Sequence, residues 1–152
     1  MNTKAILHAL AAGIVAAAAH GQQADPAAPA VQRNPDFAAI ARGGELYAQH
    51  CAACHGAQAQ GAADWQEPGP DGKTQPPPLD GSGHAWHHPS AGLRKVIRDG
   101  GPGNSNMPAF RDVLTDPQIN DIIAWFQSLW PDKAYQAWLR KEQRLQPRPG
   151  GN

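Results

Sequence analysis

The feature that most constrains this chain is the run Cys51-Ala52-Ala53-Cys54-His55. Its two thiols are spaced by two residues, and each can add to a vinyl group of haem to form a thioether. The histidine that follows directly is placed under the iron, where an imidazole nitrogen can serve as an axial ligand. These are the only two cysteines in the sequence. The run therefore predicts one haem c, attached covalently through Cys51 and Cys54, with His55 as a ligand to the iron.

Three other uses of a closely spaced cysteine pair fit the sequence poorly. A tetrahedral zinc site needs about four ligands, usually a second Cys or His pair at similar spacing, and the sequence has no such pair. A thioredoxin-like redox pair follows a strand in an alternating β/α pattern, whereas an alanine-rich helical stretch precedes this one. A disulfide across two residues closes a small loop and stabilises little. The immediate histidine favours haem attachment over all three.

Composition agrees with a small domain built around a cofactor. The 152 residues include 16 glycines and 15 prolines, which indicates few strands and long connecting loops. A short, loop-rich chain buries a poor hydrophobic core by itself, and a covalently held haem supplies the missing apolar centre. Basic and acidic residues balance at 13 each. Nucleic-acid binding is not expected, because no basic stripe with interleaved aromatic residues is present.

Residues 1–21 have the pattern of a secretory signal peptide. Lys4 supplies the positive charge, and residues 5–19 form an apolar stretch of 15 residues, shorter than the about 20 that a membrane span needs. Small residues at the end of this segment place the expected cleavage before Gln22. An uncleaved anchor is the alternative, and a lipoprotein anchor is excluded because no cysteine directly follows the stretch. Export to the periplasm is predicted, in agreement with haem c attachment outside the bacterial cytoplasm.

An open loop of residues 104–110 carries Met107, which is followed by Pro108. The only other methionine is Met1, which would be lost with the expected signal segment. A methionine in a Gly/Asn-rich loop is a poor core residue, but its thioether sulfur is a suitable sixth ligand for low-spin haem iron. Met107 is therefore the candidate distal ligand.

Residues 84–88 hold three histidines, at positions 84, 87 and 88. Such a cluster could bind a metal such as copper, but we favour solvated histidines or a hydrogen bond to a haem propionate. Trp65 is the one large apolar residue of the polar loop 56–75. It either shields the haem edge or pins the loop to the surface, and we favour the second role.

Apolar residues recur at helical spacing in four segments of the chain. An Ala/Pro-rich lead-in precedes them and is expected to be flexible. Asn34-Pro35 and Asp116-Pro117 are the expected starts of the first and the last strong helix, with proline at the first helical position. The predicted helices cover residues 36–50, 90–99 (starting at Pro89 or Ser90), 116–130 and 132–144.

Over residues 36–130 the pattern resembles the class I c-type cytochromes. Four features stand in the family's order: a helix entering the Cys-x-x-Cys-His run, a Pro/Leu segment, a loop with Met-Pro, and a closing helix with an aromatic pair. The resemblance implies an all-α, small cytochrome c fold, with three to five short helices around one covalent haem and long Gly/Pro-rich loops. We expect a signal peptide over 1–21, a lead-in over 22–34, the cytochrome c domain over 35–130, and a C-terminal helical extension with a frayed tail over 131–152.

The resemblance also implies roles for individual residues. A proline carbonyl, best matched by Pro77, accepts a hydrogen bond from the free nitrogen of His55 and fixes the ring. Leu79 presses on the haem face, and Met107 is the distal ligand of the iron. Contacts between the first helix and the closing helix are implied for Gly43, Tyr47, Ile122 and Trp125.

Three segments depart from the family pattern. The loop between Gly56 and Pro76 is longer than in minimal members. Neither the histidine cluster of residues 84–88 nor the extension after Pro131 belongs to the core pattern. These departures concern the surfaces that partners would contact rather than the haem site.

The predicted function is a periplasmic carrier of single electrons between redox protein partners, in encounters that are transient. The protein is not expected to be an enzyme. One alternative is a haem with an open sixth site that binds a small ligand. The other is a subunit bound permanently to a larger oxidoreductase through the stripe Tyr135, Trp138 and Leu139. Membrane contact is expected only through an uncleaved signal segment or a partner complex.

Overall fold

The computed structural model describes Arg33 and residues 36–145. The predicted signal segment, most of the lead-in and the end of the tail lie outside these residues. The described part contains five α-helices, and its only β-type pairing consists of isolated bridges, so the all-α prediction is confirmed. None of the described helices combines the length and hydropathy needed to cross a bilayer. The helices are α1 (Phe37–His50), α2 (Ala52–His55), α3 (Ser90–Asp99), α4 (Asp116–Ser128) and α5 (Asp132–Leu145), with a 3₁₀ turn at Ala85–His87.

Two helices begin at residues other than the predicted ones. The N-cap of α1 is Asp36 rather than Asn34, and its carboxylate accepts a hydrogen bond from the backbone N–H three residues on. The N-cap of α4 is Thr115 rather than Asp116, because Thr115 forms a reciprocal capping box with Gln118. The first amides of a helix lack intrahelical acceptors, so the helix starts after the side chain that reaches them.

Helices α1 and α4 cross in close contact, with Gly43 at the crossing point. A Cβ atom at position 43 would overlap the backbone carbonyl of Asp121 in α4. One turn further along α1, the ring centroids of Tyr47 and Trp125 lie 4.1 Å apart. The predicted contact of Gly43 and Tyr47 with α4 is confirmed. The closeness of the two backbones explains why α1 keeps glycine despite a propensity cost of about 1 kcal/mol.

Helix α5 shares one hydrophobic core with the helices before it. Trp138 is only 7% exposed, and its ring centroid lies 5.9 Å from that of Trp130 in an edge-to-face arrangement. Trp130 is buried too, and its indole N–H donates to the carbonyl of Leu79 at 2.8 Å. We expected the cytochrome c domain to end at residue 130, between α4 and α5. Residues on both sides of this limit belong to the same hydrophobic core.

The hypothesis that Tyr135, Trp138 and Leu139 form a docking face is wrong for Trp138. This side chain is buried against the protein's own core, while Tyr135 and Leu139 are half-buried and pack on the same core. The guanidinium of Arg33 lies 4.7 Å above the centroid of the Tyr135 ring. Truncation after Pro131 would remove part of the core, so it cannot separate complex formation from folding.

Candidate haem site

The cysteine pair lies where α1 ends and the single turn of α2 begins. Cys51 separates the two helices, and Cys54 and His55 are the last residues of α2. Both thiols are free; Cys51 is half-buried and Cys54 is exposed. Burial, and then the neighbouring Cys54, raise the pKa of Cys51 to about 11. The two sulfur atoms are not joined to each other, which leaves both able to form thioethers.

A single hydrogen bond fixes the ring of His55, which is 8% exposed. Its Nδ1 lies 2.9 Å from the carbonyl oxygen of Pro77. Because a carbonyl can only accept, Nδ1 carries the proton and Nε2 keeps a free lone pair. Burial lowers the pKa of His55, although the bond to Pro77 opposes this shift. The imidazole is therefore neutral at pH 7, which is the form that binds a metal ion.

The segment that contains Pro77 is held against the turn that follows α2. Gly61 has a positive φ of 70°, and a Cβ atom there would meet the backbone of Pro77. The amide of Gly61 donates to the carbonyl of His55 at 2.8 Å, and the amide of Leu79 donates to Ala59 at 2.7 Å. These bonds place Pro77 beside His55 on a backbone that has little freedom to move.

Met107 lies in the loop between α3 and α4, half-buried against the hydrophobic core. Its carbonyl accepts from the amide of Gly101 at 3.1 Å, and its own amide donates to Oγ of Ser105 at 3.2 Å. Leu79 and Phe110 are half-buried in the same way and pack on the same core.

These residues fit a haem c. They provide a neutral imidazole whose Nε2 is free of the Pro77 bond, two free thiols at the required spacing, and a methionine thioether in a loop fixed by backbone hydrogen bonds. Partly exposed apolar side chains beside a core suit the faces of a porphyrin. Imidazole nitrogen and thioether sulfur are the two ligands that hold the haem iron in cytochromes c.

The three clustered histidines do not converge on a common point. The ring centroid of His84 lies 5.4 Å from Trp65, in a stacked pair, and 5.6 Å from His88. His87 instead packs against Trp86, with 3.8 Å between the ring centroids. Within residues 33 and 36–145, no group of three or more His, Cys, Asp or Glu side chains is arranged to hold a metal ion. The described residues therefore give no support to a copper site at these histidines. The stacked contact between Trp65 and His84 agrees with the role of Trp65 in pinning its loop to the surface.

Sequence reasoning missed the polar contacts between the long loop after α2 and the loop of Met107. Lys73 and Asp71 both hydrogen-bond to the side chain of Asn106. The signal in the sequence is weak, because it consists only of polar residues in two loops that are far apart along the chain. A pairing across more than thirty positions has no local pattern, so only the fold reveals it.

Comparison with known proteins identifies the family. Residues 38–126 match the family described as cytochrome C oxidase, cbb3-type, subunit III. Cytochrome cL from the marine methylotrophic bacterium Methylophaga aminisulfidivorans has a similar structure, with 26% identity and a TM-score of 0.51 over 77% of this chain and 71% of that one. Cytochrome cL from Hyphomicrobium denitrificans shares the fold, with 23% identity and a TM-score of 0.51 over 74% of this chain and 62% of that one. No curated protein gives a significant sequence match.

The family match spans more than half of the chain and includes the cysteine pair, the following histidine and Met107. The structural neighbours are cytochromes c, which confirms the predicted fold class, the haem c cofactor and the role as an electron carrier rather than an enzyme. This chain belongs to the cytochrome c family, as a monohaem c-type cytochrome that exchanges electrons with redox partners.

Proposed function

We propose that this protein is a periplasmic electron carrier in which His55 and Met107 would hold the iron of a covalently bound haem c. The observation that carries the assignment is the 2.9 Å contact between Nδ1 of His55 and the carbonyl of Pro77. It commits one ring nitrogen to the protein and leaves Nε2 for the metal. When bound through Cys51 and Cys54, the haem supplies an iron that holds or releases one electron.

The chain's own residues keep the ligand geometry fixed. Pro77 sets the tautomer and the orientation of His55, and a hydrogen bond of this kind raises the basicity of a ligating imidazole. Both backbone groups of Leu79 are hydrogen-bonded: its amide donates to the carbonyl of Ala59, and its carbonyl accepts from the indole N–H of Trp130. We propose that its side chain would press on the haem face. Fixed ligands change little with the oxidation state, which favours rapid electron transfer.

Replacing Met107 with alanine tests the sixth ligand. The ferric far-red absorption band of methionine–iron ligation should disappear, and the ferrous form should bind carbon monoxide promptly, because the thioether is gone. Visible spectra of the purified holoprotein measure both effects. Val113→Ala is the control, since this side chain follows in the same inter-helix segment and is 58% exposed; it should leave both spectra unchanged. A far-red band that survives in the Met107→Ala variant would show that another residue is the ligand.

The proposed periplasmic location rests on the signal-peptide pattern of residues 1–21. We expect the mature protein in the periplasmic fraction of the bacterial cell, with Gln22 at its N-terminus. Mass spectrometry of the N-terminal peptide measures the cleavage site. Recovery of the chain from the membrane fraction with residues 1–21 still attached would instead establish an anchored protein.

A haem subunit of a larger oxidoreductase is a second candidate, favoured by the description of the matching family as subunit III of an oxidase. The two candidates differ in the size of the native particle. A carrier should elute from a size-exclusion column, after gentle extraction from its own cells, as a small haem protein. Haem absorbance that elutes only with a much larger, salt-resistant complex would establish the subunit function.

A further inference from the structure

The long loop after α2 contains a compact turn that reaches the loop of Met107. We call residues 68–75 the strap. The strap is closed on itself by an antiparallel bridge between Pro68 and Thr74 and by a hydrogen bond of 2.8 Å from the amide of Gly69 to the carbonyl of Lys73. It lies within the loop between α2 and the segment of Pro77.

The strap binds the backbone of the loop of residues 104–110, which we call the ligand loop, just before Met107. The amide of Thr74 donates to the carbonyl of Asn104 at 2.9 Å, and its hydroxyl donates to the same oxygen at 2.8 Å. Thr74 and Ser105 also form a parallel bridge. The strap thus adds a short β-type contact to a loop that has no regular structure of its own.

Side chains of the strap hold Asn106, the residue directly before Met107. Nζ of Lys73 donates to Oδ1 of Asn106 at 2.7 Å, and Nδ2 of Asn106 donates to Oδ2 of Asp71 at 2.6 Å. The second carboxylate oxygen of Asp71 accepts from the amide of Lys73 at 3.0 Å. The bond from Asn106, and then that from the Lys73 amide, lower the pKa of Asp71. Asp71 is therefore ionised at neutral pH and acts as an acceptor.

The opposite flank of the ligand loop is held near the end of α3. There the amide of Gly101 donates to the carbonyl of Met107 itself. Met107 therefore lies between two attachments: one from the segment after α3, and one from the strap through the residues before it. The segment is also tied to α3 after Met107, because the amides of Phe110 and Arg111 donate to Ile97 and Arg98. Loss of the strap contacts would therefore loosen the loop on the side of residues 104–106.

We propose that Asp71, Lys73 and Thr74 are positioning residues that keep Met107 directed at the haem iron. They act through residues 104–106 and do not bind the iron themselves. The inference rests on the proposed role of Met107 as the sixth ligand. Its consequence is that the strap lowers the fraction of protein in which the iron is accessible to other ligands.

Imidazole binding to the ferric holoprotein tests this inference. Met107 must leave the iron before imidazole can bind, so the apparent affinity reports the fraction of protein with an open ligand loop. Asp71→Ala removes the acceptor for Asn106 and for the Lys73 amide, and we expect about tenfold tighter apparent binding because two hydrogen bonds are lost. Thr74→Val, which keeps the backbone bond, should shift binding in the same direction by a smaller factor. The far-red band should weaken in the same order.

Asp121→Ala is the matched control for a general loss of stability. This carboxylate also accepts two hydrogen bonds, from Arg42 at 2.7 and 3.2 Å, but it lies at the crossing of α1 and α4. The Asp121→Ala variant should bind imidazole with the same affinity as the parent protein. Equal imidazole affinity in the parent, Asp71→Ala and Thr74→Val proteins would overturn the inference.

Met107→Ala separates failure of the inference from failure of the proposed function. If Met107 is the ligand, this variant binds imidazole much more tightly than the parent, and adding Asp71→Ala to it changes nothing further. If the parent binds imidazole as tightly as Met107→Ala, the proposed ligand is wrong. If Met107→Ala differs from the parent but Asp71→Ala does not, only the role of the strap is wrong.

Discussion

Replacing Gly43 with alanine is expected to lower the free energy of unfolding by about 2–3 kcal/mol. The added methyl group would overlap the backbone carbonyl of Asp121. A backbone atom, unlike the end of a side chain, can give way only if α1 and α4 move apart. That movement would also loosen the contact between Tyr47 and Trp125, whose ring centroids lie 4.1 Å apart. The loss should exceed the about 1 kcal/mol that alanine gains over glycine inside a helix.

Gly92→Ala is the control for this prediction, because Gly92 also lies inside a helix, α3. A Cβ atom there would have only ordinary contacts, the nearest with Pro89 at 3.6 Å. The same substitution should therefore stabilise the protein by about 0.5–1 kcal/mol. Guanidinium unfolding of the holoproteins, followed by far-UV circular dichroism, measures both values. A Gly43→Ala protein as stable as Gly92→Ala would contradict the close crossing of α1 and α4.

Replacing Trp138 with alanine is expected to lower the free energy of unfolding by about 3–5 kcal/mol. The indole is 7% exposed and packs against Trp130, in a core that contains residues from α1, α3 and α4 as well. Its removal would leave a cavity the size of two fused rings. Leu145→Ala is the control on the same helix, because Leu145 is 64% exposed. This control should change stability by less than about 0.5 kcal/mol.

Trp138→Phe refines the test. Among the described residues, the buried indole nitrogen of Trp138 has no hydrogen-bond partner. Phenylalanine retains an aromatic ring and removes this unsatisfied donor, so it should cost clearly less than alanine. Thermal unfolding of the three variants gives the order of stability. If Trp138→Ala were as stable as Leu145→Ala, α5 would not belong to the core. The apolar stripe of α5 would then again be a candidate docking surface for a partner.

Local chemistry made the haem motif and most helices predictable. The Cys-x-x-Cys-His run and the Met-Pro loop carry their meaning within a few residues, and apolar spacing located α1, α3, α4 and α5. The helix starts were less predictable, because several adjacent residues can cap a helix. The N-caps are Asp36 and Thr115, and not the predicted Asn34 and Asp116, because the side chains of the first two reach the free amides of the first turn.

Contacts distant in sequence were the part that could not be predicted. An apolar stripe such as Tyr135, Trp138 and Leu139 looks the same whether it covers its own core or a partner. Whether this stripe is buried depends on the position of Trp130, which follows the end of α4 and packs against Trp138. The hydrogen bonds from Asp71 and Lys73 to Asn106 likewise depend on how two loops meet. The contact between His55 and Pro77 was anticipated only because the family resemblance implied it.

The visible spectrum of the purified holoprotein tests the central claim most directly, which is that His55 and Met107 hold the iron from both sides. Spectra would be recorded in the ferric and ferrous states, with carbon monoxide added to the ferrous protein. We predict a ferric far-red band of methionine–iron ligation and no spectral shift with carbon monoxide. Absence of that band together with prompt carbon monoxide binding would contradict the claim and would establish an open sixth position.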